Sequence, residues 1–171
     1  MAKPELTAER LRELLHYDPS TGLFTWLANI GSRGRVGAIA GWSRLGYRCI
    51  TIDTVKYLAH RLAWLYTHGN MPAAEIDHIN GVRCDNRICN LREASPSINR
   101  QNSLVARAHS KTGVIGVSLD QRDGRYYARI YANGRRCALG GFDSIEEARR
   151  AYLDAKRLLH PGWICSDAHS F

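Results

Sequence analysis

"IDHINGVRCDNRICNLREASPSINRQN", residues 76–102, sets one Asp-His pair among five asparagines, two cysteines and four arginines. Its character changes along its length. Ile76 ends an extended run, Asn80-Gly81 is a turn signal, and "NLREA" (90–94) returns as a second strand. Ser95-Pro96 then opens a helix, with Ser at the N-cap and Pro at the first helical position, which sets Asn99 about one turn inside it. Neighbouring residues on a regular strand point to opposite faces, so Asp77 and His78 share a site only where the strand ends or distorts. The turn at Asn80-Gly81 supplies such an end.

The residue types fit one chemistry. A neutral imidazole takes a proton from water, and water so activated attacks phosphorus. Phosphodiester cleavage also needs a cation to neutralise charge on the phosphoryl oxygens and on the departing 3′-oxygen. A hard divalent cation binds through one or two protein oxygens, with water and phosphate completing its shell; Asp77 and one amide oxygen suffice. The plain alternative for an isolated Asp-His pair is a surface hydrogen bond. Cys84 and Cys89 form a single C-x4-C with no second pair, so four thiolates for zinc are not expected.

With "HRLAW" (60–64), "IDHINGVRCDNRICNLRE" (76–93) and "SINRQN" (97–102), the stretch resembles the HNH (ββα-metal) homing and phage endonucleases, in the variant whose last histidine is an asparagine. The resemblance implies His78 as general base, Asp77 and Asn99 as metal ligands, and Asn90 as the side chain that clamps the loop between the strands. Asn80, Asn86 and Asn102 are left as turn, loop or phosphate-contact residues.

Upstream, "TAERLRELLH" (7–16) spaces Leu11, Leu14 and Leu15 as a short amphipathic helix behind a Thr7 N-cap, ending at the turn "YDPSTG". "GYRCITI" (46–52) and "VKYLA" (55–59), separated by Asp53-Thr54, read as a hairpin, and "HRLAWLYTHG" (60–69) as a helix stopped by Gly69. "YDPSTGLFTW" and "AGWSRLGYR" also resemble the leader of phage HNH proteins, but no mechanistic role follows for residues 1–55.

Downstream, "VIGVSLDQ" and "RYYARIYANGRRCALGGF" alternate as strands around the hairpin signal Asn133-Gly134. "SIEEARRAYLDAKRLLH" (144–160) opens with a Ser144–Glu147 capping box and carries an apolar stripe of Ile145, Ala148, Ala151, Tyr152, Ala155, Leu158 and Leu159. The expectation is three antiparallel strands with one helix across them. Tyr126, Ala128, Ile130 and Ala132 then face the helix, and Arg125, Tyr127, Arg129 and Tyr131 face away. That outer side, with Arg122, Arg135 and Arg136, is read as a DNA-binding face. "TGVIGVSLD" and "GRYYARIYANGRRCALGGFDSIEEARRAYLDA" resemble the Apetala/ethylene-response-factor DNA-binding domain. Its base-reading arginines sit on the first strand, where the matching positions near Ile115 and Ser118 are not basic, leaving Arg125, Arg129 and Tyr131 as candidates.

Composition agrees with a polyanion partner. The 171 residues carry 24 Lys and Arg against 16 Asp and Glu, a formal charge of +8 spread along the chain. No apolar h-region or run of about 18 apolar residues is present, and five unpaired cysteines suit a reducing compartment. The expected fold class is α+β: residues 1–55 an accessory region, 56–108 a ββα-metal (HNH) nuclease domain, and 109–165 an Apetala/ERF-like DNA-binding domain. The expected function is a metal-dependent endonuclease that nicks double-stranded DNA, of phage or homing type. Its expected cofactor is Mg²⁺, with Mn²⁺ as substitute; its oligomeric state is left open with a monomer favoured, and it is expected away from membranes in the cytoplasm, that of a bacterial host if phage-encoded. The alternatives are a non-catalytic DNA-binding protein on an HNH scaffold and an RNA-binding or RNA-cleaving protein.

Overall fold

Thr7 starts the first helix in the computed structural model, its hydroxyl accepting a bond from the Arg10 amide at 3.2 Å. The structure describes residues 5–31, 34–103, 105–106 and 108–163. Residues 1–4, Ser32 and Arg33 of the expected accessory region, Leu104 and Arg107 of the expected nuclease domain, and Ile164 and Cys165 lie outside the described residues. The chain forms two compact units, Met1–Pro96 and Ser97–Phe171.

In the first unit, helix α1 (Ala8–Leu14) buries Leu11 and Leu14 and stops earlier than the leucine spacing suggested. Leu15–Asp18 is a strand, β1, paired antiparallel with β2 (Leu23–Trp26). Leu15 and Tyr17 are buried while His16 is exposed, a period of two that overrides the helical spacing. The Asp18 carboxylate closes the hairpin, accepting from the Ser20 amide and hydroxyl and from the Thr21 hydroxyl. These bonds, the Ser20 side chain foremost, lower its pKa to about 2.

Strands β3 (Trp42–Arg44), β4 (Tyr47–Ile52) and β5 (Val55–Leu58) make an antiparallel sheet in that order. The expected hairpin turns at Asp53 and Thr54, both with left-handed φ of 46° and 67°. Helix α2 (Ala59–His68) ends at Gly69, whose φ of 83° lets its amide reach the Leu65 carbonyl. Strands β6 (Glu75–His78) and β7 (Leu91–Ala94) pair antiparallel, Asp77 opposite Arg92 and His78 opposite Leu91. One core of Leu11, Leu15, Phe24, Ile50, Ile52, Leu62 and Leu65 joins these elements, so the hairpin β1–β2 is built into the same unit as the Asp-His pair.

Helix α3 (Pro96–Asn102) starts at the unit boundary and lies from Ser97 onward in the second unit. Strands β8 (Val117–Leu119), β9 (Tyr126–Ala132) and β10 (Arg135–Phe142) form an antiparallel sheet of order β10-β9-β8. Asn133 and Gly134, with φ of 50° and 75°, turn its main hairpin. β8 is shorter than the run "VIGVSLDQ", because Gly116 within it takes a left-handed φ of 72° just before the strand begins. Helix α4 (Ile145–Leu159) begins at Ser144, whose hydroxyl accepts from the Glu147 amide at 3.2 Å. Its Ala148 joins Val117 and Ala128 in a small core. Leu158, expected in the stripe, is 85% exposed, and Lys156 takes the inward position. There its Nζ donates to the Ser103 carbonyl at 2.5 Å, and burial lowers its pKa to about 8.

The architecture is mixed α and β, and among the described residues no helix is long and apolar enough to cross a membrane. Gly116 marks the tightest point of the second unit: a Cβ there would stand 2.2 Å from the Tyr152 ring, at a backbone φ of +72°. Gly116→Ala is expected to destabilise this unit by at least about 1–3 kcal/mol, the usual cost of overpacking. A thermal melt with no shift would contradict this packing.

Candidate active site and nucleic-acid interface

His78 is the last residue of β6, and Asp77 stands one step before it; both are buried. The strand alternation sends them to different partners. Asp77 Oδ2 accepts from Arg92 Nε at 3.0 Å and from a terminal guanidinium nitrogen at 2.8 Å. His78 Nε2 lies 3.1 Å from Asn86 Oδ1. Its ring meets His60 edge-on with centroids 5.0 Å apart, and Tyr47 lies 6.1 Å away on the same cluster. Burial holds the His78 pKa below the usual histidine value, against the opposing pull of the Asn86 bond and of Asp77. The ring is therefore neutral at pH 7, the form that accepts a proton.

The loop between the strands is held by amides. Asn90 Oδ1 accepts from the Asn80 amide at 3.0 Å, and its Nδ2 donates to the Asp85 carbonyl at 2.8 Å, so one side chain ties both halves of the loop. Asn80 is a turn residue, its Oδ1 accepting from the Val82 amide and its Nδ2 donating to Asp85 Oδ2. Asn86 had no distinct role in the sequence reading. It is 1% exposed, and the structure aims its side chain at the imidazole. Its Nδ2 is buried without a hydrogen-bond partner among the described residues, so the carbonyl end alone engages the site. His60, quoted only within "HRLAW", is the other residue that sequence reasoning did not single out.

The donor chemistry suits a hard cation. A carboxylate and an amide oxygen are the ligand types that such a cation takes, and Asp77 and Asn99 are of those types. Among the described residues no group of three or more His, Cys, Asp or Glu is gathered. Asn99 lies half-buried on α3 in the second unit. The basic residues of the loop and of β7 are already engaged: Arg87 with Asp85 at 2.6 Å, Arg92 with Asp77, and Arg83 with its guanidinium 5.0 Å over the Tyr47 ring.

On the second unit's sheet, Ala128, Ile130 and Ala132 are buried while Arg129 and Tyr131 are exposed. Ser118 pairs with Tyr127, Ala138 with Arg129, and Arg136 with Tyr131, which defines one outer face. Arg135 pairs with Ala132 and so belongs by register to the opposite side, at the exposed hairpin end. Arg122 is paired with Asp120, Arg125 with Asp143, and the Tyr127 hydroxyl donates to Asp123. Tyr131 donates to the Gly134 carbonyl. Arg129, Arg135 and Arg136 form no ion pair within 4.0 Å among the described residues, although Arg129 lies near enough to Asp120 to add slightly to the lowering of its pKa by Arg122.

Residues 57–101 match the family model described as HNH endonuclease, about a quarter of the chain. The match spans Asp77, His78, Asn86, Asn90 and Asn99 and supports a nuclease of HNH type. Comparison with curated proteins and with solved structures yields no match.

Two predictions follow from this geometry. Burial pushes the His60 pKa down to about 3, with His78 and Arg61 adding to the effect. The unfolded chain takes up that proton near pH 6.5, so this stability is complete above about pH 6.5 and is lost as pH falls toward 3. Each such histidine contributes a slope of up to about 1.4 kcal/mol per pH unit. His60→Gln should reduce the acid slope in denaturant melts between pH 6.5 and 4; an unchanged slope would contradict the burial. On the sheet, exposed ion pairs are worth about 0–1 kcal/mol, so phosphate can exchange with them, but unpaired arginines contribute more directly. Arg129→Ala with Arg136→Ala should lower the slope of log K against log salt for duplex DNA by about 0.9 per lost contact, and Arg122→Ala by less. Equal slopes for wild type and double variant would leave this face as solvated sheet surface.

Proposed function

We propose that this protein is a divalent-metal-dependent DNA endonuclease of the HNH type, of phage or homing kind, that hydrolyses phosphodiester bonds of double-stranded DNA and nicks one strand at a time. Residues 56–108 carry the chemistry, and an Apetala/ERF-like part at 109–165 holds the duplex. The observation that carries this reading is a buried, neutral His78, hydrogen-bonded at Nε2 and neighboured by a carboxylate, inside the segment that matches the HNH endonuclease model.

The roles follow from the contacts. An amide oxygen only accepts, so Asn86 Oδ1 keeps the imidazole proton on Nε2 and leaves Nδ1 as the basic nitrogen. His78 Nδ1 takes a proton from water as that water's oxygen bonds phosphorus. The bond from phosphorus to the 3′-oxygen breaks, and that oxygen takes a proton from solvent. When bound, Mg²⁺ or Mn²⁺ neutralises charge on the phosphoryl and departing oxygens. Asp77 and Asn99 are its proposed ligands, and Arg92 orients the Asp77 carboxylate. Asn90 holds the loop, and so Asn86, in place. Tyr127, Arg129, Tyr131 and Arg136 on the outer face, with Arg122, Arg125 and Arg135 around it, contact the duplex.

The test is a plasmid-nicking assay with and without EDTA, run beside a duplex-binding titration and an RNA control. Wild type should nick DNA only with Mg²⁺ or Mn²⁺. His78→Ala should lose about 10²- to 10⁴-fold in rate, the usual contribution of a general base, with affinity unchanged within about twofold. Undiminished nicking by His78→Ala, or no cleavage by wild type, would overturn the assignment.

A further inference from the structure

The hairpin β1–β2 belongs to the accessory region, for which the sequence offered no role, yet its two ends of contact fall on Asn86. The Tyr17 hydroxyl, inside the core, donates to the Asn86 carbonyl at 2.7 Å across 69 residues of sequence. Gly22, at the end of the hairpin loop, lies against the same peptide: a Cβ there would stand 2.4 Å from the Arg87 nitrogen and 2.6 Å from the Asn86 carbonyl carbon. Gly22 also takes a φ of +72°, so no side chain fits either the space or the backbone.

Both contacts are rigid. The Tyr17 ring packs on Phe24 and Tyr66 with centroids 4.8 and 5.6 Å away, and burial raises its hydroxyl to about pKa 12, so it remains a donor. The loop carrying Gly22 is cross-bonded by Asp18 to Ser20 and Thr21, and the Gly22 amide bonds the Asp18 carbonyl at 2.8 Å. Asn86 has no counterweight of its own at the amide end, since its buried Nδ2 meets no partner among the described residues. The Asn86 backbone that carries Oδ1 is thus met by the hairpin at two points.

We propose that the β1–β2 hairpin is a positioning device for the nuclease centre, with Tyr17 and Gly22 seating the Asn86 backbone so that its side-chain oxygen holds the His78 proton on Nε2. Tyr17 is thus a positioning residue acting through two others, and touches neither DNA nor the reacting atoms. This deepens the endonuclease reading and rests on it for its catalytic consequence, while the hydrogen-bond relay itself is open to measurement without any cleavage.

The experiment reads the His78 ring directly. Long-range ¹H–¹⁵N correlation spectra at pH 7.5 distinguish a proton on Nε2 from one on Nδ1. Wild type should show the Nε2–H form. Asn86→Ala should lose that preference, Asn86→Asp should keep it because an acceptor oxygen remains, and Tyr17→Phe and Gly22→Ala should each give a mixture. In the cleavage assay Tyr17→Phe should lower kcat about tenfold, with KM and duplex affinity unchanged within about twofold. Gly22→Ala strains the same peptide by contact rather than by a lost bond, so it serves if Tyr17→Phe does not fold. A proton on Nδ1 in wild type, or a wild-type tautomer together with wild-type kcat in folded Tyr17→Phe or Gly22→Ala, would overturn the proposal. Cleavage absent in wild type with the expected tautomer pattern would instead overturn the nuclease reading and leave the relay standing.

Discussion

Nearly everything at the centre of the first unit depends on the 3.1 Å contact between His78 Nε2 and Asn86 Oδ1. A buried imidazole has two nitrogens and, when neutral, one proton, and its chemistry is decided by which nitrogen carries it. Bulk water does not assign the proton once the ring is enclosed by His60 and Tyr47. Asn86 Oδ1 is an acceptor placed at Nε2, and the Asn90 clamp and the Tyr17 hydroxyl both bond the backbone of the loop that carries it. Burial alone would disfavour the charged imidazolium; the same Asn86 bond and the neighbouring Asp77 carboxylate oppose that penalty. The balance leaves a base that is neutral at physiological pH and still able to accept a proton.

The amides around this contact divide their work by geometry. Asn90 spans from the Asn80 amide to the Asp85 carbonyl, and Asn80 closes the turn beside it. Asp85 in turn takes Arg87, whose guanidinium lowers the Asp85 pKa. The charged side chains of the loop are therefore largely satisfied within it. The cationic character available to a polyanion lies instead on the second unit's sheet, where Arg129 and Arg136 share a face with Tyr131. The Asp-His pair and this cationic face belong to different compact units.

Lys156 shows the same economy in the second unit. A lysine in the inward position of an amphipathic helix is costly unless bonded. Its ammonium reaches the Ser103 carbonyl, just past α3, and lies 5.8 and 5.5 Å from the Tyr152 and Trp163 rings. The end of α3 is thereby tied to α4, and Leu158 is displaced to solvent.

Local chemistry made much of this protein legible in its residues alone. Asn133-Gly134 marks a hairpin because both residue types tolerate the left-handed conformation, the extended runs on either side of Asp53-Thr54 mark another, and Thr7, Ser144 and Gly69 mark helix ends because caps satisfy specific orphan groups. Alternation along residues 126–132 separated the buried from the cationic face, and the Asp-His pair stood out at the end of a strand. Other features were settled only by the tertiary structure. Leucine spacing in 11–15 suited a helix until packing turned Leu15 and Tyr17 into a strand. Leu158 and Lys156 exchanged places because a carbonyl lay within reach of the ammonium. Asn86 was one amide among five, indistinguishable by type from those that make turns. Its assignment to His78 required the path of the loop, and that path is braced by a hydroxyl 69 residues away. Residue type carries a side chain's chemistry, but only the fold decides which atom it faces.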